Sequence, residues 1–183
     1  MTRSEETKGG PVLRILVADD HAVVRSGLRT ILNGREGWEV CAEAETGDQA
    51  VVLARKFRPD VAVLDLSMPG IGGLQAANEI KHNVPGTELV VLTCHYSGPL
   101  LQAVANAGAL GFVLKSDADR DLISAVEAAH RRQRYISRYV EARLPASSSV
   151  SSSFFSLFEQ SDRLTTQERS QVRMIANQMR NLL

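Results

Sequence analysis

Polar residues able to do chemistry stand at the ends of short apolar runs: Asp19 and Asp20 after VLRILVA, Asp65 after VAVL, Thr93 closing ELVVLT, and Lys115 after GFVL. Each alone has a plain explanation, since paired Asp often cap helices, a strand-end Thr is common and a lone Lys is usually solvated. Together they form a chemical set. Three carboxylates held close repel one another, and a hard divalent cation with oxygen ligands is the economical relief. Mg2+ suits such a set because it keeps several waters and shares the rest of its shell between a carboxylate or two and a phosphoryl group. With that charge offset, Asp65 can attack phosphorus and form an acyl phosphate. The Lys115 ammonium and the Thr93 hydroxyl are then the available donors to the phosphoryl oxygens. Thr93 is short enough to swing toward such a group, and Phe112, three residues before Lys115, could move into the space it leaves.

For these residues to meet, the runs that carry them must be neighbouring strands with their carboxyl ends together. Val61 to Leu64 are too few for a helix and wholly apolar, as a parallel strand covered on both faces would be. In open α/β sheets ligands bind at that carboxyl edge. Strands are expected over 12–18, 38–44, 61–65, 88–93 and 110–114. Helical spacing is expected over 22–32, with Val23, Val24, Leu28, Ile31 and Leu32 inward, and over 47–57, with Ala50, Val51, Leu53, Ala54 and Phe57 inward. Arg58-Pro59 ends the second helix, because proline cannot continue the ladder. Further helices are expected over 74–82, over 99–106 with Pro99 in the first turn, and from a cap at Asp117 or Asp119 to about Arg132, with Leu122, Ile123, Val126 and Ala129 inward. Five strands alternating with five helices predict an α/β fold: a doubly wound, five-stranded parallel sheet with right-handed crossovers.

Composition bounds the rest. The 183 residues carry 21 basic and 21 acidic side chains, a zero net charge that argues against a dominant nucleic-acid footprint. The two cysteines, Cys41 and Cys94, have no spacing that suggests metal or a disulfide framework. The first ten residues are polar and no run of about 18 apolar residues occurs, so a soluble, cytoplasmic protein without a membrane partner is expected. His21, His82, His95 and His130 show no ligand spacing and are not expected to be catalytic. Arg131, Arg132, Arg134, Arg138 and Arg143 read as a solvated helix end favoured by the dipole. At Pro145 the composition changes to a polar tether, PASSSVSSS, followed by Phe154, Phe155, Leu157 and Phe158. Beyond it Thr165 and Glu168 have capping-box spacing, and Val172, Ile175 and Met179 share a helical face.

The acidic pair Asp19 and Asp20, the string DLSMPGIGG from Asp65 to Gly73, Thr93, and GFVLK from Gly111 to Lys115 resemble a CheY-like receiver domain of a two-component response regulator. The resemblance covers residues 12–132 and implies the flavodoxin-like strand order 2-1-3-4-5. It implies that Asp65 is the phosphoacceptor, that Asp20 ligates Mg2+ directly with Asp19 acting mostly through water, and that the Ser67 backbone carbonyl joins Asp65 in completing the protein's share of the metal shell. Thr93 and Phe112 match the family's switch pair, with Phe where many members have Tyr, and Ser116 stands where many have Pro. A cognate sensor histidine kinase would supply the phosphoryl group, so the phosphodonor histidine belongs to another protein and the chain is not a turnover enzyme.

The stretch GALGFVLKSDADRDLISAVEAAHRRQRYIS and the distant LTTQER are similar to LuxR/FixJ-type, NarL-like transcription regulators. The polar start is expected to be a disordered N-terminus over 1–11, and the likeness implies a linker over 133–163 and, over 164–183, the first helix of an incomplete helix-turn-helix domain. DNA is then expected as a partner only where that domain is complete, and a second copy of the chain could be a dimer partner. The alternatives are a receiver that signals or dimerises without binding DNA, and a Mg2+-dependent aspartyl-phosphate phosphatase of the haloacid-dehalogenase type, whose D-x-D-x-T motif VADDHAVV does not supply. A flavodoxin-like flavin carrier is disfavoured because Asp19 and Asp20 would repel the flavin phosphate.

Overall fold

The structure is a computed structural model that describes residues 11–143. It alternates strand and helix: β1 (Leu13–Ala18), α1 (Ala22–Asn33), β2 (Trp38–Ala44), α2 (Gly47–Phe57), β3 (Val61–Asp65), α3 (Gly72–Asn83), β4 (Glu88–Thr93), α4 (Gly98–Asn106), β5 (Gly111–Leu114), a 3-10 turn (Lys115–Asp117), α5 (Ala118–His130), β6 (Tyr135–Ile136) and α6 (Arg138–Glu141). All pairings are parallel and the strand order is β2-β1-β3-β4-β5-β6. The doubly wound class is as expected, with six strands where five were read. The sixth has two residues, Tyr135 paired with Gly111 and Ile136 with Phe112, too few to show any alternation in sequence.

Two apolar layers sandwich the sheet, because successive strand residues point to opposite faces. Ile15, Val17, Val63, Leu92 and Val113 pack with Leu28 and Leu32 of α1 and Leu122 and Val126 of α5. Leu16, Leu64, Val91 and Phe112 pack on the other side with residues of α2, α3 and α4. At β2 the alternation reverses. Trp38 and Val40 lie against the α1 and α5 layer but Ala42 and Ala44 against the α2 layer, because the pairing with β1 slips by one residue between Ile15 and Leu16 and leaves Cys41 without a partner.

Helix boundaries follow local chemistry. The Thr46 hydroxyl accepts the Gln49 N–H at the start of α2, and the Ser97 hydroxyl accepts that of Leu100 at the start of α4, where Pro99 sits in the first turn. Arg58 ends α2 in the left-handed conformation, with φ of 44°, just before Pro59. Two sequence expectations fail here. Val23 is 85% exposed, because the buried face of α1 is formed by Arg25, Leu28 and Leu32. At α5, Asp117 occupies the cap position without a side-chain cap bond; its Oδ1 accepts from Arg120 Nη2 at 2.8 Å instead. Among the described residues no helix is long and apolar enough to cross a membrane.

Candidate functional site

The carboxyl ends of β1, β3 and β5 converge. Asp19 follows β1, Asp65 is the last residue of β3, and Lys115 follows β5. The Lys115 ammonium reaches both carboxylates, 2.7 Å from Asp19 Oδ2 and 2.9 Å from Asp65 Oδ2, and both Asp side chains have no exposure. Burial pushes the ammonium toward neutrality, but the hydrogen bonds and charges of the two carboxylates outweigh it, so the Lys115 pKa lies above the ordinary lysine value. Asp65 Oδ1 is buried and receives no hydrogen bond. A charged oxygen left without a donor in a closed pocket is costly unless something else meets it.

Asp19 is committed on several sides. Its Oδ1 accepts the His21 N–H at 2.9 Å, its Oδ2 faces Lys115, and its own N–H donates to the Ala44 carbonyl at 3.1 Å. Asp20 is more open, its side chain 30% exposed at the pocket mouth. His21, read from sequence as having no ligand spacing, brings Nδ1 to 2.6 Å from Asp20 Oδ1 and 3.4 Å from Asp19 Oδ1. Ligand atoms of Asp19, Asp20 and His21 lie within 4.8 Å of one another. The acidic pair and the undonated Asp65 oxygen together make a donor set that a hard cation fits.

The loop after β3 is shaped by glycine. A Cβ on Gly73 would stand 1.9 Å from the Asp65 carbonyl oxygen, so α3 can begin against the strand end only with glycine there. Gly70 adopts φ of +81°, and Asp48 Oδ2 lies where its Cβ would be, accepting the Ile71 N–H at 3.2 Å. Ser67 lies on this loop and is exposed.

Thr93 ends β4. Its hydroxyl donates to the His95 carbonyl at 2.9 Å and accepts the His95 N–H at 3.2 Å, so it is turned into its own loop. Phe112 pairs in register with Val91 and Thr93 with Leu114, which puts Phe112 and Thr93 diagonally on one face of the sheet. The Phe112 ring has no exposure.

Similar architecture and sequence occur in known proteins. The family model described as the response regulator receiver domain matches residues 15–127. This chain belongs to the response regulator receiver family. The receiver is 37% identical over 136 residues to the response regulator UvrY of Escherichia coli K12, a match covering 74% of this chain and 62% of UvrY. It is 34% identical over 166 residues to the response regulator GacA of Pseudomonas aeruginosa, covering 91% of this chain and 76% of GacA. Among solved structures it is similar to a LuxR-family two-component response regulator from an Aurantimonas species, with a TM-score of 0.69, 33% identity, and coverage of 73% of this chain and 95% of that one. The matched part of the receiver thus spans less than two thirds of UvrY.

Sequence reasoning missed Arg25. It is 8% exposed, and its guanidinium contacts the Asp19 carbonyl and the Glu45 carboxylate. One signal was available: positions 25, 28 and 32 fall on one helical face, so the arginine had to share the buried side with two leucines. The arginine run is exposed at Arg131, Arg132, Arg138 and Arg143, as expected, and three of these have partners. Arg132 Nε lies 3.3 Å from Glu88 Oε1, Arg138 Nε lies 3.8 Å from Asp121 Oδ1, and the Arg143 guanidinium stacks 3.5 Å from the Tyr139 ring centroid.

Proposed function

We propose that this receiver is the phosphoryl-accepting input of a two-component response regulator, with Asp65 the phosphoacceptor, and that the whole protein controls transcription. The observation that carries the reading is the Lys115 ammonium bridging two unexposed carboxylates at adjacent strand ends while Asp65 Oδ1 has no donor. An Asp65 oxygen forms the bond to phosphorus as the bond from phosphorus to a donor histidine nitrogen breaks, and the leaving imidazole takes a proton from solvent. Lys115 holds a positive charge beside the accepting oxygen. Thr93 donates to the transferred group once it turns out of its loop, and Phe112 follows into the space left behind. Asp20, Asp65 and the Ser67 carbonyl would hold Mg2+, with Asp19 acting mostly through water because its oxygens are already engaged. When bound, the ion neutralises the pocket and the incoming phosphoryl oxygens.

The partner implied is a sensor histidine kinase. The receiver is assigned to residues 12–132, a linker to 133–163, and residues 164–183 to the first helix of a LuxR-type DNA-binding domain; 144–183 lie outside the described residues. The similarity to GacA, which extends over 91% of the chain, supports that assignment. DNA binding belongs to the protein that carries the complete helix-turn-helix, and dimerisation to the phosphorylated receiver.

The test is labelling by acetyl phosphate, read by intact mass or by Phos-tag electrophoresis. The parent gains one phosphoryl group in a Mg2+-dependent reaction and Asp65→Asn gains none. Equal labelling of the Asn variant would move the acceptor elsewhere.

A further inference from the structure

Asp19 and Asp20 share one peptide group, whose plane sets the directions in which their two carboxylates leave the backbone. That plane is held by a residue from outside the turn. Arg25, in the first turn of α1, folds back so that Nη1 donates to the Asp19 carbonyl at 2.7 Å. Its Nη2 donates to Glu45 Oε1 at 2.6 Å, and Nε stands 3.8 Å from Glu43 Oε2. Glu43 is in turn held by Arg29 at 2.9 Å. The Asp19 N–H is fixed independently by the Ala44 carbonyl. Both backbone bonds of Asp19 are therefore clamped to the end of β2 and the turn that follows it. The clamped arginine side chain is only 10% exposed.

A buried guanidinium is expensive, and its planar fork is the side chain best suited to hold a carbonyl and a carboxylate together. A helix in need of stability at this position would carry another leucine. The geometry points to Arg25 as a positioning residue for the metal: it holds the peptide between Asp19 and Asp20 so that, against their mutual repulsion, the acidic pair stays aimed into the pocket. This inference rests on the reading above that the pair holds Mg2+.

Charge and geometry make opposite predictions, which gives the test its sign. If Arg25 mattered only as a nearby cation, deleting it would tighten Mg2+ binding. If it positions the pair, deleting it weakens binding although a repelling charge has gone. Mg2+ is titrated into the full 183-residue chain and followed by amide NMR, and acetyl phosphate labelling is timed at limiting and saturating Mg2+. Arg25→Met should raise the Mg2+ Kd about tenfold, the usual scale for losing a partner that orients metal ligands. Arg25→Lys keeps the charge but cannot span both acceptors, and should fall between the two. The labelling rate of the Met variant should approach the parent's once Mg2+ saturates.

An unchanged or tighter Kd in Arg25→Met overturns the inference, as does a labelling defect that saturating Mg2+ leaves in place. Should the Met variant lose its native amide dispersion, Arg25→Lys and Glu45→Gln decide by the same criterion, a weaker Kd supporting the inference and a parental one overturning it. A parent that binds no Mg2+ would overturn the reading of the site itself and this inference with it. Equal affinities in parent and variant would overturn the inference alone.

Discussion

At the residue scale the pocket is a balance of charge kept in place by one lysine. Removing one partner of a buried ion pair leaves the other uncompensated, and here Lys115 faces two. Lys115→Met should therefore lower stability in metal-free buffer at neutral pH by about 3 kcal/mol, the lower end for a broken buried pair. Added Mg2+ should narrow the gap in thermal unfolding temperature between variant and parent. A gap that ignores Mg2+ would mean that the lysine does not neutralise this pocket. The pH dependence has a definite sign. Because the folded Lys115 pKa is raised, its pairing contributes fully below the ordinary lysine value of 10.5 and is lost only as pH rises through the higher folded value. Asp65, Thr93 and Lys115 were legible in the sequence because a sharp change from apolar to polar marks a strand end. Arg25 was overlooked despite sharing a helical face with Leu28 and Leu32, since an arginine in an amphipathic helix ordinarily lies on the wet side. The approach of His21 to Asp20 was not legible either, because it is made by the turn of the chain and has no periodic signature.

At the scale of elements, the short segment after α5 is built onto β5. Ser137 is fully buried; its N–H donates to the Phe112 carbonyl at 2.8 Å and its hydroxyl accepts the Leu114 N–H at 3.2 Å. Ile136 and Val140 belong to the same apolar layer as Phe112. Ser137→Ala leaves the Leu114 N–H buried without its acceptor and should cost about 1–3 kcal/mol in urea unfolding. Parental stability would show that water takes the hydroxyl's place. The doubly wound class was readable from the alternation of apolar runs with helical spacing, whereas the strand order came from the family resemblance. The β6 and α6 segment was not, because two strand residues and four helical ones fall below the length at which any period shows.

Across the whole molecule, both members of the Thr93 and Phe112 pair lead to one place. Tyr96, three residues beyond Thr93, meets Tyr139 of α6 edge-on, with ring centroids 6.3 Å apart and an interplanar angle of 82°. Phe112 is tied to the same segment through Ile136 and Ser137. A change at the pocket can thus reach α6 by two routes before the chain continues toward its tail. Thr93→Ala should still accept a phosphoryl group, because the hydroxyl supplies only one of several contacts. The parent should associate on adding beryllofluoride, a phosphoryl mimic, and the sedimentation of the Ala variant should not change. A parental response in the Ala variant would remove Thr93 from the relay.

Cys41 is the residue of β2 that β1 does not match in register. Side chains along a strand obey parity, even numbers to one face and odd to the other, and one supernumerary residue exchanges the two classes for everything downstream. Trp38 and Val40 spend their even places on the α1 side; after the slip it is the odd-numbered Glu43, with Glu45 just beyond the strand, that meets Arg25 there. A strand of regular alternation would have sent both glutamates to the opposite face, among the alanines of α2. The anionic half of the clamp on the acidic pair thus owes its side of the sheet to the one residue that β2 carries in excess of β1.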